Sequence, residues 1–187
     1  MHTTWTGKLV RLRPWQDGDE IYAFNERNNI VPNEILGPSW YSLPKEQQLF
    51  EPTGLMDPLR VCLFAIERLD TGEMIGLEGA VFLRGTRLVA DVGTFVIPER
   101  RGRGFGCEAK LLVQCFLFES FPLQRVDAWT LASHSRARRG LELCGMHYEG
   151  RLRRCHFSQG CYVDRVHYVI FREQWETLPV RGYVKRG

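Results

Sequence analysis

No apolar run in the chain is long enough to cross a bilayer. The first thirteen residues already carry Lys8, Arg11 and Arg13 and lack the apolar core of a secretory signal. A cytoplasmic protein is therefore expected. Internal repeats, low-complexity tracts and linker-like composition shifts are also missing, so the 187 residues are expected to form one domain, residues 1–187. His and Cys never cluster at ligand spacing, and no metal is expected. Cys62, Cys107, Cys115, Cys144, Cys155 and Cys161 lie scattered among apolar neighbours in a chain too large to need disulfide staples, so buried thiols are expected. Two phosphate-binding signatures are absent as well. No Lys-Ser/Thr follows a glycine turn, and the dinucleotide fingerprint G-x-G-x-x-G does not occur.

Lysine is scarce too, with 4 residues against 21 arginines, a bias that genomic base composition explains most simply. Residues 1–93 hold 9 basic and 13 acidic side chains, whereas residues 94–187 hold 16 and 9. The second half is the one suited to an anion. Its first segment, Val96-Ile97-Pro98-Glu99-Arg100-Arg101-Gly102-Arg103-Gly104-Phe105-Gly106, joins an apolar strand to a helix through glycines and arginines in the pattern R-x-x-G-x-G. Glycine lets backbone N–H groups approach a ligand, and a helix start presents unsatisfied amides and the positive end of its dipole. Arg101 and Arg103 add forked donors that suit phosphate oxygens.

The 44% apolar content indicates a globular chain of alternating strands and helices. Leu9–Arg13 is expected as a first strand, followed by a helix around Asp19–Asn28 and an irregular lid over Asn29–Pro58. Arg60–Leu69, Glu73–Leu83 and Leu88–Ile97 form an antiparallel meander with turns at Asp70-Thr71-Gly72 and Arg84-Gly85-Thr86. A helix at Cys107–Ser120, a strand at Arg125–Leu131 and a helix at Arg136–Leu143 follow, with Gly145 as a left-handed cap. Strands Tyr148–Phe157 and Tyr162–Phe171 and a short helix ending at Trp175 complete the expected order.

With R-x-x-G-x-G at Arg101–Gly106, the strand Ala90–Glu99, Leu141-Glu142-Leu143-Cys144-Gly145-Met146, Glu149-Gly150 with Arg153, and Gly160-x-Tyr162-x-Asp164-x-x-x-Tyr168, the chain resembles the GNAT superfamily of acyl-CoA N-acyltransferases. Within it the chain is similar to the ribosomal-protein N-terminal (alanine/serine) acetyltransferases and their small-molecule relatives. The resemblance implies an α/β (α+β) fold: a mixed central sheet with an antiparallel meander, a V-shaped splay at the acyl-CoA site and flanking helices. It implies acetyl-CoA as the acyl donor, its pantetheine arm along Phe95, Val96 and Ile97 and its pyrophosphate over Arg101, Gly102, Arg103, Gly104, Phe105 and Gly106.

The implied chemistry is direct acetyl transfer to a primary amine in a ternary complex, which needs a proton acceptor for the amine and a proton donor for the thiolate. Asp91, the acidic residue of an apolar strand, matches a position often acidic in this branch; the plainer role is exposure or pairing with Arg87. On the leaving-group side, Leu141 stands where many members have tyrosine, and His134 and Ala137 stand where this branch often has Asn and Ser. His134 and the flanking Ser133 and Ser135 are the candidates there.

The acceptor, a protein N-terminus or a small amine, is expected between residues 25–40 and 153–162, with Trp40, Tyr41, Phe157, Tyr162 and Glu34 as candidate lining. The competing reading is a catalytically weak acyl-CoA-binding sensor or scaffold. Arg136, Arg138, Arg139, Arg151, Arg153 and Arg154 could form a nucleic-acid surface, but a solvated helix face accounts for them more simply. No membrane partner is expected, and the resemblance leaves a homodimer open.

Overall fold

In the computed structural model, residues 4–16, 18–19, 61–82, 88–158 and 160–187 are described. The expected helix at residues 19–28, the lid at 29–58 and the turn at 84–86 lie essentially outside them.

Among the described residues, one nine-stranded sheet runs in the order β7-β8-β6-β5-β4-β3-β2-β1-β9. Its strands are β1 (Trp5–Thr6), β2 (Val10–Arg13), β3 (Val61–Arg68), β4 (Met74–Phe82), β5 (Val89–Val96), β6 (Arg125–Leu131), β7 (His147–Ser158), β8 (Cys161–Phe171) and β9 (Lys185–Arg186). β3 to β5 form the expected antiparallel meander, β2 adds to it antiparallel to β3, and Gly72, at φ 71°, supplies the left-handed residue of the β3–β4 turn. The β1 and β9 strands escape sequence reading because two residues carry no periodicity.

The helices are α1 (Phe105–Ser120), α2 (Ser135–Leu143) and α3 (Arg172–Trp175). α1 begins two residues before the expected Cys107, because Gly104 already serves as its N-cap. Its far end is closed by Arg172, whose guanidinium donates to the carbonyls of Phe118, Phe121 and Leu123, each at 2.8 Å. α2 ends as expected at Gly145, φ 78°. Met146 N–H bonds to Leu141 O at 3.1 Å and Gly145 N–H to Glu142 O at 3.0 Å, the paired bonds of a Schellman cap.

α1 lies on one face of the sheet. Phe116 packs edge-on against Trp5, Phe64 and Phe121, and the cluster extends through Ala90, Val92, Val126, Ala128, Tyr168 and Ile170. Side chains alternate along a strand, so Asp91, Asp127, Trp129 and His167 lie on the opposite face.

The β5–β6 seam positions the site. β6 is the parallel neighbour of β5, and their register covers only Val89, Ala90 and Asp91 against Arg125, Val126 and Asp127. Beyond Asp91, β5 stays with β4 while β6 continues to Leu131 paired with β8. The two strands part there, and this is the expected V-shaped splay.

Candidate active site

The donor loop is built from the end of β5. Ile97 leads into a single 3-10 turn, Pro98–Arg100, and the chain then passes through Gly102 at φ 79° and Gly104 at φ 87° before entering α1. Both glycines occupy backbone conformations that cost an L-residue about 1–2 kcal/mol. An added Cβ at Gly102 would meet nothing within 4 Å, so that side of the loop is open. Gly106 serves helix packing instead. Its Cβ would lie 3.3 Å from Val96 Cγ2 and 3.6 Å from Thr94 Cγ2, so glycine lets α1 lie close on β5.

Among the described residues no side chain caps α1, which leaves its first-turn amides open to a ligand or solvent. Glu108, acidic and in that first turn, does not face the loop. Its carboxylate accepts from the N–H groups of Lys8, Leu9 and Val10 at 2.8, 2.6 and 2.8 Å, fastening α1 to the β1–β2 turn. Gly7 makes room for it, since a Cβ there would stand 2.5 Å from the Glu108 carboxyl carbon.

The three loop arginines divide their work. Arg100 is held by Glu73, with Nε at 3.1 Å and Nη2 at 3.0 Å. Arg101 donates from Nε to the Val96 carbonyl at 2.7 Å and lies 5.8 Å over the Phe95 ring. Arg103 is exposed beside the two left-handed glycines. Left-handed glycines, an uncapped helix start and an exposed guanidinium fit a pyrophosphate, and the backbone of β5 beyond Asp91, which has no strand partner on its β6 side among the described residues and only its Val96 carbonyl taken by Arg101, fits an amide-bearing arm.

Asp91 stands at the last paired rung of the seam, directly opposite Asp127. It is half-buried, and its Oδ1 is buried without a hydrogen-bond partner among the described residues. Burial is the main cause that pushes its carboxyl up to about 6, and the neighbouring Asp127 adds to it, against the opposing pull of Lys110, Arg165 and His167. Asp127 is itself engaged: Arg125 Nε lies at 2.6 Å and His167 Nε2 at 3.1 Å. His167 Nδ1 in turn lies 2.9 Å from Glu149, while its ring stacks on Trp129 with centroids 4.0 Å apart. Arg87, the alternative partner for Asp91, lies outside the described residues.

On the far wall, His134 is the half-buried N-cap residue of α2 and Ser135 its exposed first residue, both just beyond the end of β6. Leu141 is buried in the main core. The buried hydroxyl of Tyr168 is committed to α2, accepting from Arg138 Nε at 3.3 Å and donating to Glu142 Oε1 at 3.2 Å. Phe157 and Tyr162 meet edge-on at the tip of the β7–β8 hairpin, with Tyr162 70% exposed. Glu34, Trp40 and Tyr41 lie outside the described residues.

Sequence reading singled out the loop and Asp91 but not the neighbours the structure brings beside Asp91, namely Asp127, His167 and Glu149. Three strands bring these residues to one face, and no local spacing announces them. The thiols are also less uniform than expected: Cys62, Cys115 and Cys144 are buried, Cys107 is half-buried, and Cys155 and Cys161 are exposed.

Residues 10–147 match the family described as "Acetyltransferase (GNAT) domain". The chain is 31% identical over 171 residues to the uncharacterised N-acetyltransferase YoaA of Bacillus subtilis (strain 168), covering 88% of this chain and 93% of that protein. Among solved structures it is similar to a spermidine N-acetyltransferase from Vibrio cholerae in complex with CoA and spermine, with TM-score 0.80 and 20% identity over 90% of this chain and 98% of that one. It is also similar to Mycobacterium smegmatis RimJ in complex with CoA-disulfide, with TM-score 0.76 and 21% identity over 99% of both chains. The protein belongs to the GNAT family of N-acetyltransferases, enzymes whose acyl donor is acetyl-CoA.

Proposed function

We propose that this single-domain, cytoplasmic enzyme transfers acetyl directly to a primary amine held at the mouth of the β5–β6 splay, with Asp91 as proton acceptor. The observation that carries the reading is the placement of Asp91: a half-buried carboxyl facing another carboxyl at the rung where the strands separate. With its carboxyl titrating near 6, the group is ionised at neutral pH and still basic enough to take a proton from an ammonium, directly or through water.

Bound acetyl-CoA supplies the thioester carbonyl that the amine attacks. The backbone of Phe95, Val96 and Ile97 would orient the arm, and the amides of Gly102 to Gly106, with Phe105 at the first turn, would hold the pyrophosphate together with Arg103. Arg101, which donates to the Val96 carbonyl at 2.7 Å, would join them by turning from that carbonyl to phosphate oxygen. His134 and Ser135, across the mouth, return a proton to the departing thiolate.

The acceptor belongs to one of two classes, a small-molecule amine or a protein N-terminus. The V. cholerae neighbour is a spermidine acetyltransferase, and the acidic groups Asp91, Asp127 and Glu149 suit a cationic amine of either class. Free-thiol release from acetyl-CoA, measured across polyamines, small amines and peptides with free N-termini, tests the reading. Turnover with one class identifies the acceptor. Tight coenzyme A binding with no thiol release across the panel would instead favour the sensor or scaffold.

A further inference from the structure

Two thiols outside the proposed chemistry nearly touch. Cys107, the third residue of α1, and Cys144, the C-cap of α2, have sulfurs 3.0 Å apart although 37 positions separate them in the chain. Cys144 also donates from Sγ to the Cys107 carbonyl at 3.3 Å. The pair is asymmetric: Cys144 is fully buried, whereas Cys107 is half-buried and reaches solvent. No set of three or more His, Cys, Asp or Glu side chains among the described residues could hold a metal there.

We propose that Cys107 and Cys144 form a reversible dithiol/disulfide site, closed by low-molecular-weight disulfides, that ties the start of α1 to the end of α2. Bonded sulfurs sit about 2.05 Å apart, so closure needs a movement of about 1 Å. Cys107 is the attacking thiol. Hydrogen bonding from Cys144 holds it below the usual thiol range, Lys110 assists and Glu108 opposes, while the same contact and burial push Cys144 well above that range. The Cys107 thiolate attacks one sulfur of the small disulfide, forming a mixed disulfide and releasing one small thiolate. Cys144, losing its proton to solvent, then attacks the Cys107 sulfur and expels the second. Two protein thiols are oxidised as one small disulfide is reduced to two thiols.

The test incubates the full-length protein with oxidised glutathione and follows intact mass and non-reducing peptide maps. The expected product has lost two hydrogens, yields a peptide pair joined through Cys107 and Cys144, melts at higher temperature and reverts with dithiothreitol. C144S should accumulate glutathione on Cys107, and C107S should accumulate none on Cys144. Because either variant could perturb packing, native alkylation of the wild type is the second readout: Cys107 should react faster than Cys144. The exposed Cys155 and Cys161 are internal controls. Glutathione found on these two alone, with Cys107 and Cys144 both still alkylatable after unfolding, overturns the proposal.

Discussion

The two faces of the sheet bury acids under opposite arrangements. Toward α1, Glu78 is wholly buried with Lys110 Nζ 3.5 Å away, and burial pushes its carboxyl up to about 7 in spite of that cation. Toward the other face, Asp91 stands against a second carboxylate at the rung where β5 and β6 separate. A buried acid with a dedicated counter-charge belongs to the scaffold. One facing a like charge at an opening can exchange its proton with a ligand. The loop proposed to bind the donor sits at the head of the first face and the candidate proton acceptor on the second, so the two functions should be separable by mutation.

Gly104→Val is the most severe test of that separation. At φ 87° a β-branched residue is strained, and its Cβ would stand 3.5 Å from Leu9 Cδ1, so the turn into α1 should shift and coenzyme A affinity should fall on the order of 100-fold by calorimetry. Unchanged affinity would remove the loop from donor binding.

Asp91→Asn should do the reverse, lowering kcat on the order of 100-fold while the dissociation constant for coenzyme A stays within twofold. The same variant should melt at a higher temperature. Because the folded carboxyl titrates above its unfolded value, the native state holds the proton more tightly, and that preference is lost as pH rises through about 6. At neutral pH the native state therefore bears the cost of a half-buried charge, and removing it should stabilise by about 1 kcal/mol after solvent screening. The corresponding pH profile of kcat/KM should fall below about 6 in the wild type and lose that limb in Asp91→Asn.

Lys110→Met probes the scaffold face. It leaves Glu78 buried without its cation, and denaturant unfolding should show a loss of about 3 kcal/mol. The loss should be larger at pH 8 than at pH 5, where Glu78 is protonated in the native state. Arg103→Ala should have the smallest effect, a loss of about threefold to tenfold in coenzyme A affinity, read by the same calorimetry, since an exposed guanidinium is screened.

The meander, α1, β6 and the closing hairpin were legible because each carries its own period and its own turn residues, and their ends moved by one or two positions at most. The R-x-x-G-x-G loop was legible as a glycine-rich turn from strand to helix, yet its parts proved unequal. Gly106 serves helix–strand packing, and Arg101 occupies the Val96 carbonyl. What stayed hidden depends on register between distant segments. Asp127 faces Asp91 only because β6 returns parallel to β5, and Glu108 meets the amides of residues 8–10 across 98 to 100 positions. No window of neighbouring residues contains either relation.

The brevity of the β5–β6 pairing also bears on how the molecule comes together. β1 to β5 with α1 make one plate, and β6 to β8 with α2 make another. Among the described residues the ladder between the plates spans three residue pairs, so they share far less backbone bonding than each has within itself. Most pairings within the plates join consecutive strands, whereas the ladder between them must wait for a crossover through the whole of α1. Amide exchange should therefore distinguish two cooperative units, with the N–H group of Ala90, which points toward β6, protected only after both are in place.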